Sequence, residues 1–590
     1  MGKIFNSLSI NVLLMFYLLI SVSFGQSSDT LIIAANPPGN LNNIINGDTT
    51  ATGEQVNPDR VYVVKQTGVV DTIYFLTEEI RIKDLNLVGI TNPNTGFPPV
   101  IQPYIHQDGT SINDFIVVLE EGVISLKNLY LLATRSDGLS VTSSAISAHG
   151  ESVRFVIDEC VFENFGAQGT SNILNTWNTT GSDIFVSNSL FRNNQSDIPH
   201  HPCGNWAGPG LISVDSVIYK NNTFFVLGGC IEGSNTDVGY LEFDHNTIFM
   251  TTKNPPFYLL EQSNSVIRNN IFFGVYSAGL DSLHVYYNPA FSTRYYFCNP
   301  AVIMLDTLLY FKDPPFNRTE DARKILVENN AYFWPLTITN NFNTLNSDPK
   351  FQIVGGKIYA PVWASATNPE MLTDRTRWPG IEISTNNDSI DPGFDPVLVQ
   401  AASDSMARFV RHVWEHGGDG TGSKPFVYLS DPNNMFAGVP ENWAETQGYP
   451  VRENLRYSNE LLDHAGTDGK ALGDLNWFPE QIVDVEENSK LLRQNFNLSQ
   501  NYPNPFNPTT TIKYSIPQSG FVSVKVFNLL GQEVVTLVNN EQRVGNYSIE
   551  FSAKGGYASG GNASNLASGV YLYRIQSGSY SVTKKMVFLK

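Results

Sequence analysis

The chain has 590 residues, 42% of them hydrophobic, and a formal charge of −19 from 56 acidic and 37 basic side chains. That length exceeds one compact globule unless the fold is elongated or repetitive. The acidic surplus argues against nucleic acid as a partner and leaves room for Ca²⁺ as a cofactor.

Residues 1–25 have the layout of a signal peptide. Lys3 supplies the positive start, Ile10 to Ile20 is an apolar run broken only by Asn11, and Ser23-Phe24-Gly25 precedes Gln26. The alternative, a membrane anchor, needs about 20 apolar residues. No other stretch approaches that length, so no transmembrane segment is expected in the mature protein.

From about residue 55 to 345 one pattern recurs: apolar, polar, an Asn-like residue, a small or amide residue, then an apolar pair. It appears as FVIDECVF, IFVSNSLF, VIYKNNTFF, LEFDHNTIF, SVIRNNIFF and ILVENNAYF, with looser upstream copies IRIKDLNLV and ISLKNLYLL. The fourth element falls on Leu85, Leu129, Cys160, Ser189, Asn222, Asn246, Asn270 and Asn330, with spacings of 44, 31, 29, 33, 24, 24 and 60. A period of 24 with variable additions is too long for a hairpin and matches one coil of a parallel β-helix. The step of 60 holds either a degenerate coil or a large loop through Tyr286 to Arg323. Three before the anchor stand Ile82, Leu126, Ile157, Val186, Tyr219, Phe243, Ile267 and Val327. Two after it stand Leu87, Leu131, Phe162, Phe191, Phe224, Ile248, Phe272 and Tyr332. Both columns are expected to line the core, and the late Asn anchors to form a buried ladder at a coil corner.

Two features of this region could carry chemistry. By alternation, the column two before the anchor faces outward, and in three consecutive coils it reads Lys220, Asp244 and Arg268. Stacked at about 4.8 Å, these are the candidate catalytic residues, or else a solvated salt-bridge ladder. The insertion Asp197 to Gly210 carries His200, His201 and Trp206, which could bind a metal or stack on a sugar, or simply belong to a stapled loop. Four cysteines (Cys160, Cys203, Cys230, Cys298) lack CxxC spacing, which argues against zinc. Export permits a disulfide, for which Cys203 and Cys230 are the preferred pair, while Cys160 reads as a buried thiol.

Past residue 340 the pattern changes. SDPKF and IDPGFDP are loop-rich; Asp395 then caps a helix with Met406, Phe409, Val410, Val413 and Trp414 on one face and Gly417 as its stop. Residues 350–483 are assigned as a mixed cap and flanking subdomain, since a solenoid needs its open end covered. Polar residues 484–494 form a linker. Beyond it, Val522, Val524 and Val526 alternate with Ser523 and Lys525 as in a half-buried strand, and Asn528 to Gln532 turns into the next.

Three resemblances follow from these motifs. YPNPFNP, NLLGQEV and LASGVYLYRI, in that order, resemble the C-terminal sorting domain of the type IX secretion system of Bacteroidetes-like bacteria, over about residues 495–590. That implies export by the type IX machinery and a secreted or outer-membrane surface location, with the tail often removed. Ala465 to Glu480 resembles the closing segment of many bacterial secreted β-helix proteins. The coil pattern resembles the pectate-lyase and polygalacturonase superfamily, and Phe243-Asp244-His245-Asn246-Thr247 is similar to the Asp-His segment in which a pectate lyase aspartate helps hold Ca²⁺. The set is incomplete. Asn235-Thr236-Asp237 has no Asp-Asp after it, and His149-Gly150 and Arg81-Ile82-Lys83 lie upstream of it, out of polygalacturonase order.

The expected fold is therefore all-β: a right-handed parallel β-helix over 26–349, a mixed cap, and a C-terminal Ig-like β-sandwich. The expected function is binding of extracellular polysaccharide or adhesion at the surface. The alternative is a polysaccharide lyase or glycoside hydrolase, an activity the fold alone does not license.

Overall fold

The computed structural model describes residues 29–590 except for 282–300, 306–318, 417–452, 482–496 and a number of shorter segments. The signal peptide, His200, His201, Cys203, Cys230 and the 484–494 linker lie outside the described residues. The described chain forms two compact units, divided between Ile482 and Val483.

The first unit is a parallel β-helix. A coil visits three sheets in turn, as in Leu85–Ile90, Val100–Pro103, Ile116–Val118 and then Gly122–Lys127 back on the first. Sheet I has 11 described strands from Thr30–Ile33 to Ile381–Ile383, and sheet II has 10 from Ile73–Leu76 to Asp388–Ser389. Sheet III is built of shorter strands, five early and three late. Parallel pairing thus runs on past residue 349, through Val327↔Ile383 and Tyr332↔Ser389.

The column three before the anchor is continuous: Leu126, Ile157, Val186, Tyr219, Phe243, Ile267 and Val327 pair in succession. So is the column two after it, from Leu131 through Phe162, Phe191, Phe224, Ile248 and Phe272 to Tyr332. These side chains fill the interior, and only Tyr332 is appreciably exposed. Rings of Phe162, Phe191 and Phe224 stack at 5.0 Å, a geometry that adds about 0.5–1.5 kcal/mol per pair beyond burial. The upstream copy anchored on Leu85 is out of register. Leu87 pairs with Leu126 and so occupies the first column, while Ile82 belongs to sheet III opposite Val118. Alternating apolar residues suit either face of a three-sided coil, so the pattern alone does not fix which. The step of 60 is one coil carrying extra residues, because Ile267 pairs directly with Val327, and its described strand Ala301–Leu305 pairs with Phe257–Leu259 in sheet III.

The asparagine ladder forms as the repeat requires. Asn222 Nδ2 donates to Asn246 Oδ1 at 3.0 Å, Asn246 to Asn270 at 3.1 Å, and Asn270 to Asn330 at 2.9 Å. A further rung, Asn330 to Asn387 at 2.8 Å, extends it. From the Leu129 anchor onward, the residue before each anchor turns the corner with φ between 50° and 58°: Asn128, Glu159, Asn188, Asn221, His245, Asn269 and Asn329. Asn tolerates this left-handed region better than most residues. Cys160 is a free, buried thiol whose burial pushes its pKa up to about 12, which makes it a core residue.

Both ends of the core are covered. Helix α1 (Asn40–Gly47) buries Leu41 and Ile45 against the first coil. At the other end Met371 and Trp378 join the interior cluster. Helix α1 and helix α2 (Leu336–Ser347) are absent from the sequence reading; both are asparagine-rich and poor in helix formers. Helix α3 (Pro396–His416) matches its expected start, with Asp395 Oδ1 accepting from Val397 N at 2.9 Å, and Met406 is buried. The side chains of Phe409, Val410, Val413 and Trp414 lie outside the described set.

The segment Glu453–Gln481 lies along a side of the solenoid. Leu455, Tyr457, Leu462, Leu472, Leu475, Trp477 and Phe478 pack with Phe394 over the outward row Phe225, Phe249 and Phe273 of sheet II. That row stacks at 5.2 and 5.1 Å.

The second unit is a β-sandwich. An antiparallel sheet of Asn497–Leu498, Thr509–Ile516 and Gly545–Ser552 shares a core with one of Glu533–Gln542, Gly520–Phe527, Gly569–Ser577 and Tyr580–Phe588. Val522, Val524 and Val526 point into that core, as their alternation implies, and Asn528 N donates to Gln532 O at 3.0 Å across the turn.

Candidate functional site

The outward face of sheet I places the three candidate residues side by side: Lys220 pairs with Asp244, and Asp244 with Arg268. Their heads are tied into an ion-pair network with Glu242, one column away. Lys220 Nζ lies 2.9 Å from Glu242 Oε1, and Arg268 Nη2 lies 3.0 Å from Asp244 Oδ2 and 3.6 Å from Glu242 Oε1. Asn269 Nδ2 donates to the other Asp244 oxygen at 2.8 Å, and Tyr240 OH to Glu242 Oε2 at 3.2 Å. Burial opposes the Arg268 charge, yet Asp244 and Glu242 hold its pKa above the ordinary arginine value. Burial, then Glu242, raises that of Tyr240.

This arrangement holds charge rather than freeing it. A lyase base must accept a proton, and the Arg268 guanidinium is engaged through both Nε and Nη2 by Asp244. Asp244 has a hydrogen bond on each oxygen. Among the described residues no three His, Cys, Asp or Glu side chains gather as a metal-holding group.

Upstream on the same face runs an apolar column. Val156, Phe185 and Ile218 pair in register and are half-buried. Ion pairs flank it on both sides. Arg154 meets Asp183 at 2.9 Å and lies 5.8 Å from the Phe185 ring centre, and Lys127 pairs with Asp158, which also accepts from Ser187 at 2.9 Å. The sequence reading missed this column because it scored outward positions for charge alone.

Trp206 falls in the short strand Asn205–Trp206, paired with Leu174–Asn175 in sheet III; its side chain is outside the described set, like His200 and His201. Sequence reasoning also passed over two buried polar groups under the 453–481 segment. One joins Glu163, Arg192 and Glu453: Arg192 Nη1 is 3.3 Å from Glu163 Oε2, and Nη2 is 2.6 Å from Glu453 Oε1. Burial, countered by Arg192, raises the Glu163 pKa. The other is Asp474, at 3% exposure. Charged residues read as solvent-facing in a single sequence, so neither gave a signal.

Residues 500–589 match the family model of the secretion system C-terminal sorting domain. No curated protein matches the chain. The sandwich unit is thus a type IX sorting tail, and the protein that carries it is handled by the type IX machinery and is secreted or held at the outer-membrane surface.

Proposed function

We propose that the β-helix binds extracellular polysaccharide through the outward face of sheet I, serving attachment at the cell surface. The observation that carries this reading is the in-register column Val156–Phe185–Ile218 between two rows of paired charges. Coils rise by about 4.8 Å, so the column offers a regular apolar ridge to the C–H faces of sugar rings. Paired charges beside it can bond hydroxyls without a net field, which suits a polar, weakly charged polymer. Lys220, Asp244 and Arg268 continue the same face as a structured rim.

The test is affinity electrophoresis of the mature chain on neutral glycans and polyuronates, with and without Ca²⁺. Retention is expected, and Phe185→Ala should weaken it about tenfold, or about 1.4 kcal/mol, with the melting temperature nearly unchanged. Retention indifferent to Phe185→Ala would move the site elsewhere. Unsaturated products absorbing in the ultraviolet would establish a lyase instead.

A further inference from the structure

The strap Glu453–Gln481 crosses several coils, and apart from Glu453 on Arg192 many of its polar contacts with the coils gather along one corner of the solenoid. Asn476 Nδ2 donates to Asn221 O at 2.9 Å, Thr467 N to Asn269 Oδ1 at 2.8 Å, and Asn329 Nδ2 to Ala465 O at 2.6 Å. The three solenoid partners are left-handed corner residues, Asn269 and Asn329 on adjacent coils and Asn221 two coils before Asn269. Inside this seam Asp474 is almost wholly buried. Its Oδ2 meets the Thr223 hydroxyl at 2.6 Å, and its Oδ1 accepts from Asn476 N at 2.9 Å and Nδ2 at 2.8 Å. Its own N–H donates to Thr247 Oγ1 at 2.9 Å, and Trp477 Nε1 covers the site by donating to Thr223 Oγ1 at 2.8 Å. These contacts come from sheet II on one side and the strap on the other, and all are uncharged. Among the described residues no cation forms an ion pair with Asp474.

We propose that docking of the strap is proton-linked through Asp474, so that the seam tightens as the medium is acidified from neutrality. A buried carboxylate whose hydrogen-bond partners are the Thr223 hydroxyl and the Asn476 amides lacks the counter-charge that a buried ion needs, whereas the neutral acid can donate to Thr223 Oγ1. Burial accordingly pushes Asp474 up to about 7, against the hydrogen bonds from Thr223 and Asn476. The docked strap therefore holds a proton that a released strap gives up near the ordinary aspartate value, about 4. Docking is strongest below about 4, weakens as pH rises from there to 7, and is level beyond.

A second titratable contact lies in the same seam. His245 Nε2 lies 3.3 Å from Asp468 Oδ1 and 3.9 Å from Asp244 Oδ1, with Arg268 on Asp244 and Lys470 Nζ 3.9 Å from Asp468. Burial raises the Asp468 pKa, but the His245 hydrogen bond and charge outweigh it and set the value at about 2. The contribution of the Asp468 carboxylate is present above about 4 and is lost as pH falls toward 2, and the Asp474→Asn variant, which leaves this pair intact, separates it from the Asp474 linkage.

Hydrogen exchange of the full chain, corrected for intrinsic rates, reads the linkage directly. Protection of amides 465–478 should fall about tenfold per pH unit between about 4.5 and 7 and then level off. Asp474→Asn, which keeps the shape without the titrating proton, should flatten the profile. Strand Asn264–Arg268 serves as the control and should stay protected throughout. A flat wild-type profile, an unchanged slope in Asp474→Asn, or parallel loss in the control strand would each overturn the proposal. The wild-type profile decides the matter even where the variant fails to accumulate.

Discussion

Asn246 shows how much a single side chain carries in a repeat. Its Oδ1 accepts from both the backbone and the side chain of Asn222, and its Nδ2 faces Tyr219 O, Asp244 O and Asn270 Oδ1. Truncation leaves several of these groups buried and unbonded, at about 1–3 kcal/mol each. Asn246→Ala should therefore cost roughly 3 kcal/mol or more and lower the thermal midpoint by several degrees, measured by circular dichroism. A loss under about 1 kcal/mol would mean that water replaces the rung. The ladder was legible because Asn222, Asn246 and Asn270 recur at intervals of 24 residues beside apolar columns. Its last member was not. Asn387 stands four residues after Ile383 where its predecessors stand three after their column residue, and it precedes the polar pair Asp388–Ser389. One extra residue at the corner hides the repeat from any pattern of fixed spacing while leaving the hydrogen bond intact.

At the scale of the element, the two outward faces have opposite fates. The pair of apolar residues after each late anchor, such as Ile248-Phe249, already signals a strand buried on both sides. What covers the second side could not be read, because the partners Phe394, Tyr457 and Phe478 lie far along the chain. Phe249 sits between Phe225 and Phe273 with Phe394 edge-on at 5.3 Å. Phe249→Ala should cost about 3–5 kcal/mol through the cavity it opens and should also raise exchange in 453–478, since the strap loses its central footing. Unchanged exchange there would show that the polar seam alone holds the strap. Sheet I contrasts with this. Its outward positions read as alternating polar and apolar, and the structure leaves Val156, Phe185, Ile218, Lys220 and Arg268 half-buried while Asp244 is buried. The charge strip was found from sequence because its members share one column, but its partner Glu242 was missed because ion pairs also reach diagonally between columns.

For the whole molecule, independence of the two units follows from their cores. The sandwich buries Val522, Val524, Val526, Tyr573 and Met586 in a cluster of its own, and among the described residues the solenoid interior draws none from beyond Ile383. A solenoid gains its stability from nearest-neighbour coils, so removing a tail with a separate core should leave it untouched. Deleting residues 483–590 is expected to remove one transition from the calorimetric trace and shift the other by less than about 2 °C, since a change of 1 kcal/mol moves a domain of 150–250 residues by about 2–4 °C. In a host with type IX export, the same deletion should abolish surface display and release, because the sorting tail at 500–589 is the address. A solenoid that melted markedly earlier without its tail would show that the tail stabilises it as well as directing it. Export that persisted would place a second signal within the first 482 residues.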